Sequence, residues 1–407
     1  MSRAIGASVV YEDGTTRRFS DVGAALRETD RGRVELHYRY DAAAVPATRD
    51  ETRGLWRYRA LLPVEPGPVR YPLPVGDTPL VAPPQLRRAL SVANLWLKDE
   101  TRSPTGSNKD RATALILQHA MNEGIDTVSC ASTGNVAVSL AVGAAAAGKR
   151  AVVFVPTGVA EFKLRLMLSA GATVLKVREG YGAAFRLSRQ AAALFGWCDR
   201  NTGVNPFTLD AKKTVAFEIW EQLGRTVPDA VVVPAGDGVT LSAMAKGFRE
   251  LVACGVARRI PRIVGVQAEG CQPIKRAWET RSTLEPVRPA TIADGIAVGT
   301  PVCGPVAVRD VRESGGSFVA VADAEMLEAV QVLAIRAGVL AEPAGAAALA
   351  GLERALAAGL VRANEHVVVL ITGSALKAPQ HLVPALDALE IGADLHEVER
   401  ALSAYVQ

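Results

Sequence analysis

The chain has 407 residues, 49% hydrophobic and 22% charged, an ordinary balance for a globular protein with room for more than one core. Its net charge of +4 is small and its arginines are scattered, so neither a nucleic-acid surface nor an anionic membrane surface is supported. No apolar run reaches the ~18–20 residues of a membrane span, and the opening MSRAIGASVVYEDG lacks a signal-peptide core, so a cytoplasmic protein is expected. The five cysteines, Cys130, Cys198, Cys254, Cys271 and Cys303, form no CxxC pair, and the five histidines form no cluster; no metal site and no histidine relay are expected.

Residues 1–75 alternate short β-like pieces, such as Ala7–Tyr11 and Val34–Tyr40, with polar turns. They pass through Trp56–Leu62 into a proline-rich connector and read as an appended layer. Leu95–Lys98 reads as a strand. The stretch Lys98–Thr113, KDETRSPTGSNKDRAT, then sets Lys109 between a turn at Pro104–Gly106 and a helix through Ala112–Met121. Ser107 and Asn108 are candidate caps, and Asp110 falls in the first turn, where a carboxylate suits the dipole. A lysine near the positive end of a helix, in a partly desolvated loop, has its ammonium disfavoured and becomes an amine nucleophile toward aldehydes. Taken alone, the segment also accommodates a solvated surface lysine.

The pattern then becomes regular: strand 127–131, helix 135–147, strand 151–155, helix 160–169, strand 173–177, helix 182–195, which implies a parallel sheet. The loop Ala131-Ser132-Thr133-Gly134-Asn135 joins a strand end to a helix start, a place where ligands bind, or an ordinary capped connection. Asn205–Asp210 leads through Lys212 and Lys213 into a helix over Thr214–Leu223. After the strand Val231–Pro234, Gly236-Asp237-Gly238-Val239-Thr240 opens the helix Leu241–Ala253; glycines there let backbone N–H groups approach a phosphate, although a simple turn has the same composition. Like charge would repel a carboxylate beside that phosphate, so Asp237 is expected to cap the helix. Strand 263–268, a helix from Pro273, a turn-rich Arg281–Val308 and an amphipathic helix Ala322–Arg336 with Asp323 as N-cap follow. Glu342 faces a pocket or merely favours a helix start. The last strand, His366–Ile371, ends at Thr372.

Several of these stretches, in this order, resemble the threonine synthases and their relatives, the fold-type-II pyridoxal-phosphate enzymes. SPTGSNKDRA resembles the pattern NPTGSFKDRG, Gly76–Leu80 resembles GGTPL, and Ala131–Asn135 matches ASTGN. AKKTVAFEI is similar to EGQKTxAFEI, Ala341–Ala347 to an EPAxA helix start, and Thr372–Lys377 to TGHGLKD. The resemblance covers roughly residues 75–385.

It implies an α/β fold of two three-layer parallel-sheet domains with the cofactor in the cleft between them. The large domain would comprise 76–124 and 226–385 and the small inserted one 125–225, with 1–75 appended, a helical tail over 386–407, and a homodimer as the assembly. It further implies that Lys109 carries pyridoxal 5′-phosphate as a Schiff base, with the phosphate on Gly236, Asp237, Gly238, Val239 and Thr240. Asn135 would meet the phenolic oxygen and Thr372 the pyridine nitrogen. The substrate, a small phosphorylated amino acid, would have its carboxylate on Ser132, Thr133, Gly134 and Asn135 and its phosphate near Lys98, Arg111 or Lys212.

The implied reaction is that of threonine synthase, O-phosphohomoserine and water to threonine and phosphate. β-Replacement on O-phosphoserine or a similar serine ester, as in the cysteate-synthase-like branch, stays open, as does a non-catalytic cofactor-binding regulator, against which the intact Lys109 argues. The chain departs from the pattern in lacking N-terminal cysteine pairs and in having Asn108 for phenylalanine, Thr208 for arginine and Ser374 for histidine. With arginine gone at Thr208, Lys212 or Lys213 is the expected substitute.

Overall fold

The strand and helix alternation closes into two parallel sheets in the computed structural model, whose described residues are 8–11, 15–18, 34–38, 40–47, 52–64, 67–382, 384 and 386–403. The N-terminal layer is a small antiparallel sheet of β1 (Ser8–Tyr11), β2 (Thr16–Arg18) and β3 (Val34–His37) in the order β2-β1-β3. The expected pieces Ala7–Tyr11 and Val34–Tyr40 are thus shorter strands, and Ala7 and Arg39 lie outside the described residues. Trp56–Leu62 forms a 3-10 helix over Leu55–Leu61 that buries Leu55, Tyr58 and Leu61.

The chain next makes β4 (Leu80–Val81), α1 (Pro84–Leu90), β5 (Leu95–Asp99) and α2 (Lys109–Asn122). It then leaves for a second sheet: β6 (Thr127–Ala131), α3 (Asn135–Ala146), β7 (Arg150–Pro156), α4 (Glu161–Ser169), β8 (Thr173–Val177), α5 (Gly180–Phe195) and β9 (Cys198–Asp199), with strand order β8-β7-β6-β9. Helix α6 (Phe207–Gln222) returns it to β10 (Ala230–Pro234), α7 (Val239–Ala253), β11 (Arg262–Ala268), α8 (Pro273–Thr280), α9 (Gly304–Glu313), β12 (Ser317–Val321), α10 (Asp323–Ala337), α11 (Pro343–Ala357) and β13 (Val367–Ile371). These complete a six-stranded sheet ordered β12-β11-β10-β13-β5-β4, parallel except for β4. A final helix, α12 (Leu395–Ser403), lies in the tail.

Helices cover both faces of the larger sheet, which explains why its strands are continuous runs of β-branched residues rather than alternating ones. Val232, Val264 and Val369 pack toward Leu349 of α11 and Met326 of α10. Their neighbours Val231, Ile263 and Val368 pack toward Phe217 of α6, Met244 and Phe248 of α7 and Val311 of α9. In the smaller sheet Val128, Cys130 and Val153 meet α2 and α3, while Val152 and Phe154 meet Ala184 of α5.

Several elements were not expected, among them α1, β4 and β9. Strand β12 and helix α9 lie in and beyond the stretch read as turns, because Gly304 and Pro305 mask a helix that forms by burying Ala307, Val308 and Val311. Asp323 is the first residue of α10 and not its cap; its carboxylate accepts from Thr291 Oγ1 at 2.5 Å and from Ile292 N at 3.1 Å, while Glu325 accepts from the Ala322 amide at 2.7 Å. All five cysteines are buried, and none forms a disulfide among the described residues. Among the described residues no helix is long and apolar enough to cross a membrane, and no cluster suits a metal ion.

Candidate active site

Strands β5, β13 and β10 run parallel, so their carboxyl ends share one edge, where loops meet ligands in open α/β sheets. The loop leaving β5 turns at Gly106, whose φ of +68° favours a residue without Cβ. Asp110, in the first turn of α2, folds back onto that turn: its carboxylate accepts from Thr105 N at 2.7 Å and Thr105 Oγ1 at 2.6 Å. Lys377 clamps the same turn from beyond β13, donating to the carbonyls of Thr105 and Gly106 at 2.6 Å each. The amide of Asn108 donates to the Thr372 carbonyl at 3.0 Å, so the lysine loop and the end of β13 form one unit. Lys109 therefore starts α2 at a fixed place.

Asn108 holds the cap position, but its side chain makes no cap bond. Its amide instead reaches Thr240 Oγ1, 3.3 Å away in the first turn of α7. Burial lowers the Lys109 pKa, and the neighbouring Arg200 lowers it further, against a smaller opposing effect of Glu342. The half-buried amine is thus biased toward its nucleophilic form.

Lys212 and Lys213 separate sharply, since adjacent residues of a helix point about 100° apart. Lys213 is fully buried between Asp210, at 2.6 Å, and Glu250, at 2.9 Å. Lys212 forms no ion pair among the described residues; it donates to Thr240 Oγ1 at 3.2 Å, beside Lys109. Thr208 is buried and spends its hydroxyl on the Asn205 carbonyl at 2.7 Å.

Two expected phosphate contacts are corrected. Lys98 donates to Glu218 at 2.6 Å, the Thr78 carbonyl at 2.6 Å and Gln222 at 2.9 Å, which uses all three of its N–H bonds. Arg111 is engaged on both edges by Glu100 and Glu218, each at 2.6 Å. These two cations and two carboxylates are an interior ion cluster, with no donor left for a ligand. Asp237 does not cap α7 either: Gly238 occupies that position in a left-handed conformation, and Asp237 Oδ1 accepts from the Val302 amide at 2.8 Å, tying the glycine loop to the segment that covers it.

The Ser132–Asn135 loop begins α3. Ser132 Oγ accepts from the Gly134 amide at 3.2 Å, and Asn135 Nδ2 donates to Glu342 Oε1 at 2.6 Å. Glu342 thus faces the cleft and does not cap α11 with its side chain. Burial raises its carboxyl above the usual glutamate range and Asp294 adds to the rise, while Lys377 and Lys163 oppose it. Ser374, in the expected histidine position, accepts from the Leu376 amide at 3.3 Å with its hydroxyl, and its own amide donates to the Gly106 carbonyl of the lysine loop at 2.8 Å.

Three residues with no local sequence signal complete the site. Arg200 is fully buried, donates to the Lys109 carbonyl at 3.2 Å, and is brought by burial to about 10. Lys163, from α4, forms an ion pair with Asp294 of the covering segment, and both lie within 4 Å of where a Gly134 side chain would begin. Asn108 Oδ1, Asn135 Oδ1 and Glu342 Oε2 are buried without partners. The cleft thus gathers a nucleophilic amine, two helix starts suited to anions, two buried basic groups with no ion pair among the described residues, and unpaired polar atoms, a donor set for a phosphorylated carbonyl compound and a carboxylate.

Comparison with known proteins agrees with this chemistry. The family described as pyridoxal-phosphate dependent enzyme matches residues 71–373. Threonine synthase of Methanocaldococcus jannaschii is 36% identical over 379 residues, 91% of this chain and 93% of that protein. Threonine synthase of Mycobacterium tuberculosis is 37% identical over 79% of this chain and 88% of that protein. Among solved structures, threonine deaminase isoform 2 of Solanum lycopersicum aligns with a TM-score of 0.64 at 21% identity, over 80% of this chain and 83% of that one. Diaminopropionate ammonia lyase of Escherichia coli gives 0.64 at 22% over 75% and 86%. At these identities the two structures speak for the fold alone, that of the fold-type-II enzymes.

Proposed function

Because the chain belongs to the pyridoxal-phosphate dependent enzyme family, we propose that it is a threonine synthase, converting O-phosphohomoserine and water to threonine and phosphate. The observation that carries this reading is Lys109 itself: a lowered-pKa amine at a helix start, flanked by Lys212, Thr240 and Asn108, in a chain 36% identical to a threonine synthase over 379 residues. The donor set fits the cofactor. Lys109 would supply the amine, the start of α7 with Gly236, Asp237, Gly238, Val239 and Thr240 would receive the phosphate, Asn135 would hold the phenolic oxygen, and the neutral hydroxyl of Thr372 would serve the pyridine nitrogen. When bound, the cofactor supplies an electron sink for negative charge on the substrate carbons.

The chain's own groups then bind, orient and move protons. Ser132, Thr133, Gly134 and Asn135 hold the substrate carboxylate at the positive end of α3. The Lys163–Asp294 pair closes over that loop and limits water. Lys109 Nζ takes the proton from the substrate Cα and carries protons between Cα and Cβ, so phosphate leaves from Cγ and water adds at Cβ. The loss of arginine at Thr208 favours a second reading, β-replacement on O-phosphoserine. We further read the chain as a cytoplasmic homodimer, divided into a large domain over 76–124 and 226–385 and a small one over 125–225; sedimentation velocity tests the dimer.

Phosphate release from the two phosphoamino acids decides the substrate. The two differ by one methylene, for which a shaped pocket discriminates roughly 10–200-fold. A kcat/KM favouring O-phosphohomoserine within that range or above, with threonine as product, supports the synthase; the reverse order overturns it in favour of β-replacement.

A further inference from the structure

The start of α7 carries a charge that its glycine loop does not explain. Lys212 is 2% exposed, and no carboxylate pairs with it among the described residues. Its ammonium shares Thr240 Oγ1 with the Asn108 amide, at 3.2 and 3.3 Å, one turn into the helix whose first amides, at Val239, Thr240 and Leu241, make no backbone hydrogen bond. Lys109 and the buried Arg200 place two further basic groups next to it, and Asp237, held on the Val302 amide, opposes them. A buried ammonium that reaches a hydroxyl and a neighbouring amine but no carboxylate is costly unless an anion joins it.

We propose that Lys212 is the cationic arm of the phosphate site at the start of α7 and pairs with the cofactor's 5′-phosphate, so that this chain holds that group by a full charge as well as by backbone amides. The inference rests on the cofactor assignment and not on the choice of substrate. Burial lowers the Lys212 pKa well below the usual lysine value, Lys109 and Arg200 lower it further, and Asp237 opposes them. A phosphate dianion restores the ammonium. The charge-assisted contact stabilises the phosphorylated cofactor specifically, because the same aldehyde without its phosphate gains nothing from Lys212.

The test titrates cofactor-stripped full-length protein with pyridoxal phosphate and, separately, with pyridoxal, following absorbance and tryptophan fluorescence. In Lys212→Gln the Kd for pyridoxal phosphate should rise about tenfold or more while the Kd for pyridoxal stays within about twofold, and Lys212→Arg should recover most of the loss. The unchanged pyridoxal affinity shows that the variant is folded. Phosphorus NMR gives a second readout: the bound phosphate should remain dianionic to lower pH in the wild type than in Lys212→Gln. An equal loss for both ligands, or no change for either, overturns the proposal. So does an unchanged ratio combined with a raised KM for O-phosphohomoserine at saturating cofactor, which would assign the ammonium to the substrate's phosphate. If neither phosphoamino acid is turned over but the ratio shifts, the proposal stands and the synthase reading falls.

Discussion

Asn135 Nδ2 donates to Glu342 Oε1 at 2.6 Å, joining residues 207 positions apart and the start of α3 to the start of α11 across the cleft. The bond fixes the asparagine rotamer and leaves its Oδ1 and the second carboxylate oxygen unpaired in the site. Burial, then Asp294, raises the Glu342 carboxyl. A folded pKa above the unfolded one gives stability that is full below the unfolded value and lost as pH rises through the folded value, so the buried Glu342 carboxyl weighs more against the cofactor-free protein as pH rises. Glu342→Gln, which keeps an oxygen acceptor for Asn135, should therefore raise the Tm of cofactor-free protein at about pH 7, with the gain shrinking toward about pH 4. It should lower kcat about tenfold through the weaker neutral hydrogen bond to Asn135. A lower Tm at neutral pH would remove the argument for a strained carboxylate.

Lys109→Ala should abolish the visible absorbance of the purified protein and lower phosphate release on the order of 10^3-fold, since Lys163, the other lysine at a helix start beside the cleft, is held in an ion pair by Asp294. Spectra and stopped-time phosphate assays check it, with Lys163, in the first turn of α4, as the other lysine to compare. A borohydride-reducible cofactor attached to a different lysine in wild type would reassign the amine.

Glu218 ties Lys98 and Arg111 together inside the protein. Burial alone would raise its carboxyl, but Arg111 and Lys98 overcome that and hold it at about 2, below the ordinary 4.5. A depressed folded pKa contributes stability above the unfolded value that is lost as pH falls through the folded one, here between about 4.5 and about 2. Glu218→Gln leaves two buried cations sharing Glu100 and should cost about 3–5 kcal/mol, with a flatter loss of stability in that acid window. Urea titrations at several pH values measure both effects, and a loss below 1 kcal/mol would show the cluster to be well solvated.

Thr208→Arg introduces a long cation at a position that is 1% exposed, beside the Lys213 and Lys246 partners of Asp210. Overpacking should cost about 1–3 kcal/mol, and the KM for O-phosphohomoserine should not improve. Steady-state kinetics with thermal unfolding checks this; a lower KM would mean that helix α6 yields enough for an arginine to reach the substrate.

Local features of the site were legible because each is written in consecutive residues. The turn before Lys109, the loop into Asn135, the glycines at 236 and 238 and the strand ending at Thr372 are strand-loop-helix junctions whose composition follows from their backbone geometry. The regular alternation from residue 127 onward also carried the parallel sheets, since β-branched runs buried on both faces have few other structures open to them. Helix α9 and strand β12 escaped because their formation depends on what they pack against, with glycine and proline at the helix start.

Sequence by itself determined the amine, its place at a helix start and the order of the ligand loops, all consequences of local propensity and spacing. Tertiary structure alone decided which charges face the cleft. It consumed Lys98 and Arg111 with Glu100 and Glu218, buried Lys213 with Asp210 and Glu250, and left Lys212 beside Lys109. It also brought Arg200, Lys163, Asp294 and Glu342 in from distant segments. The reason is that a buried charge is settled by the partner that reaches it, and long-range packing chooses that partner.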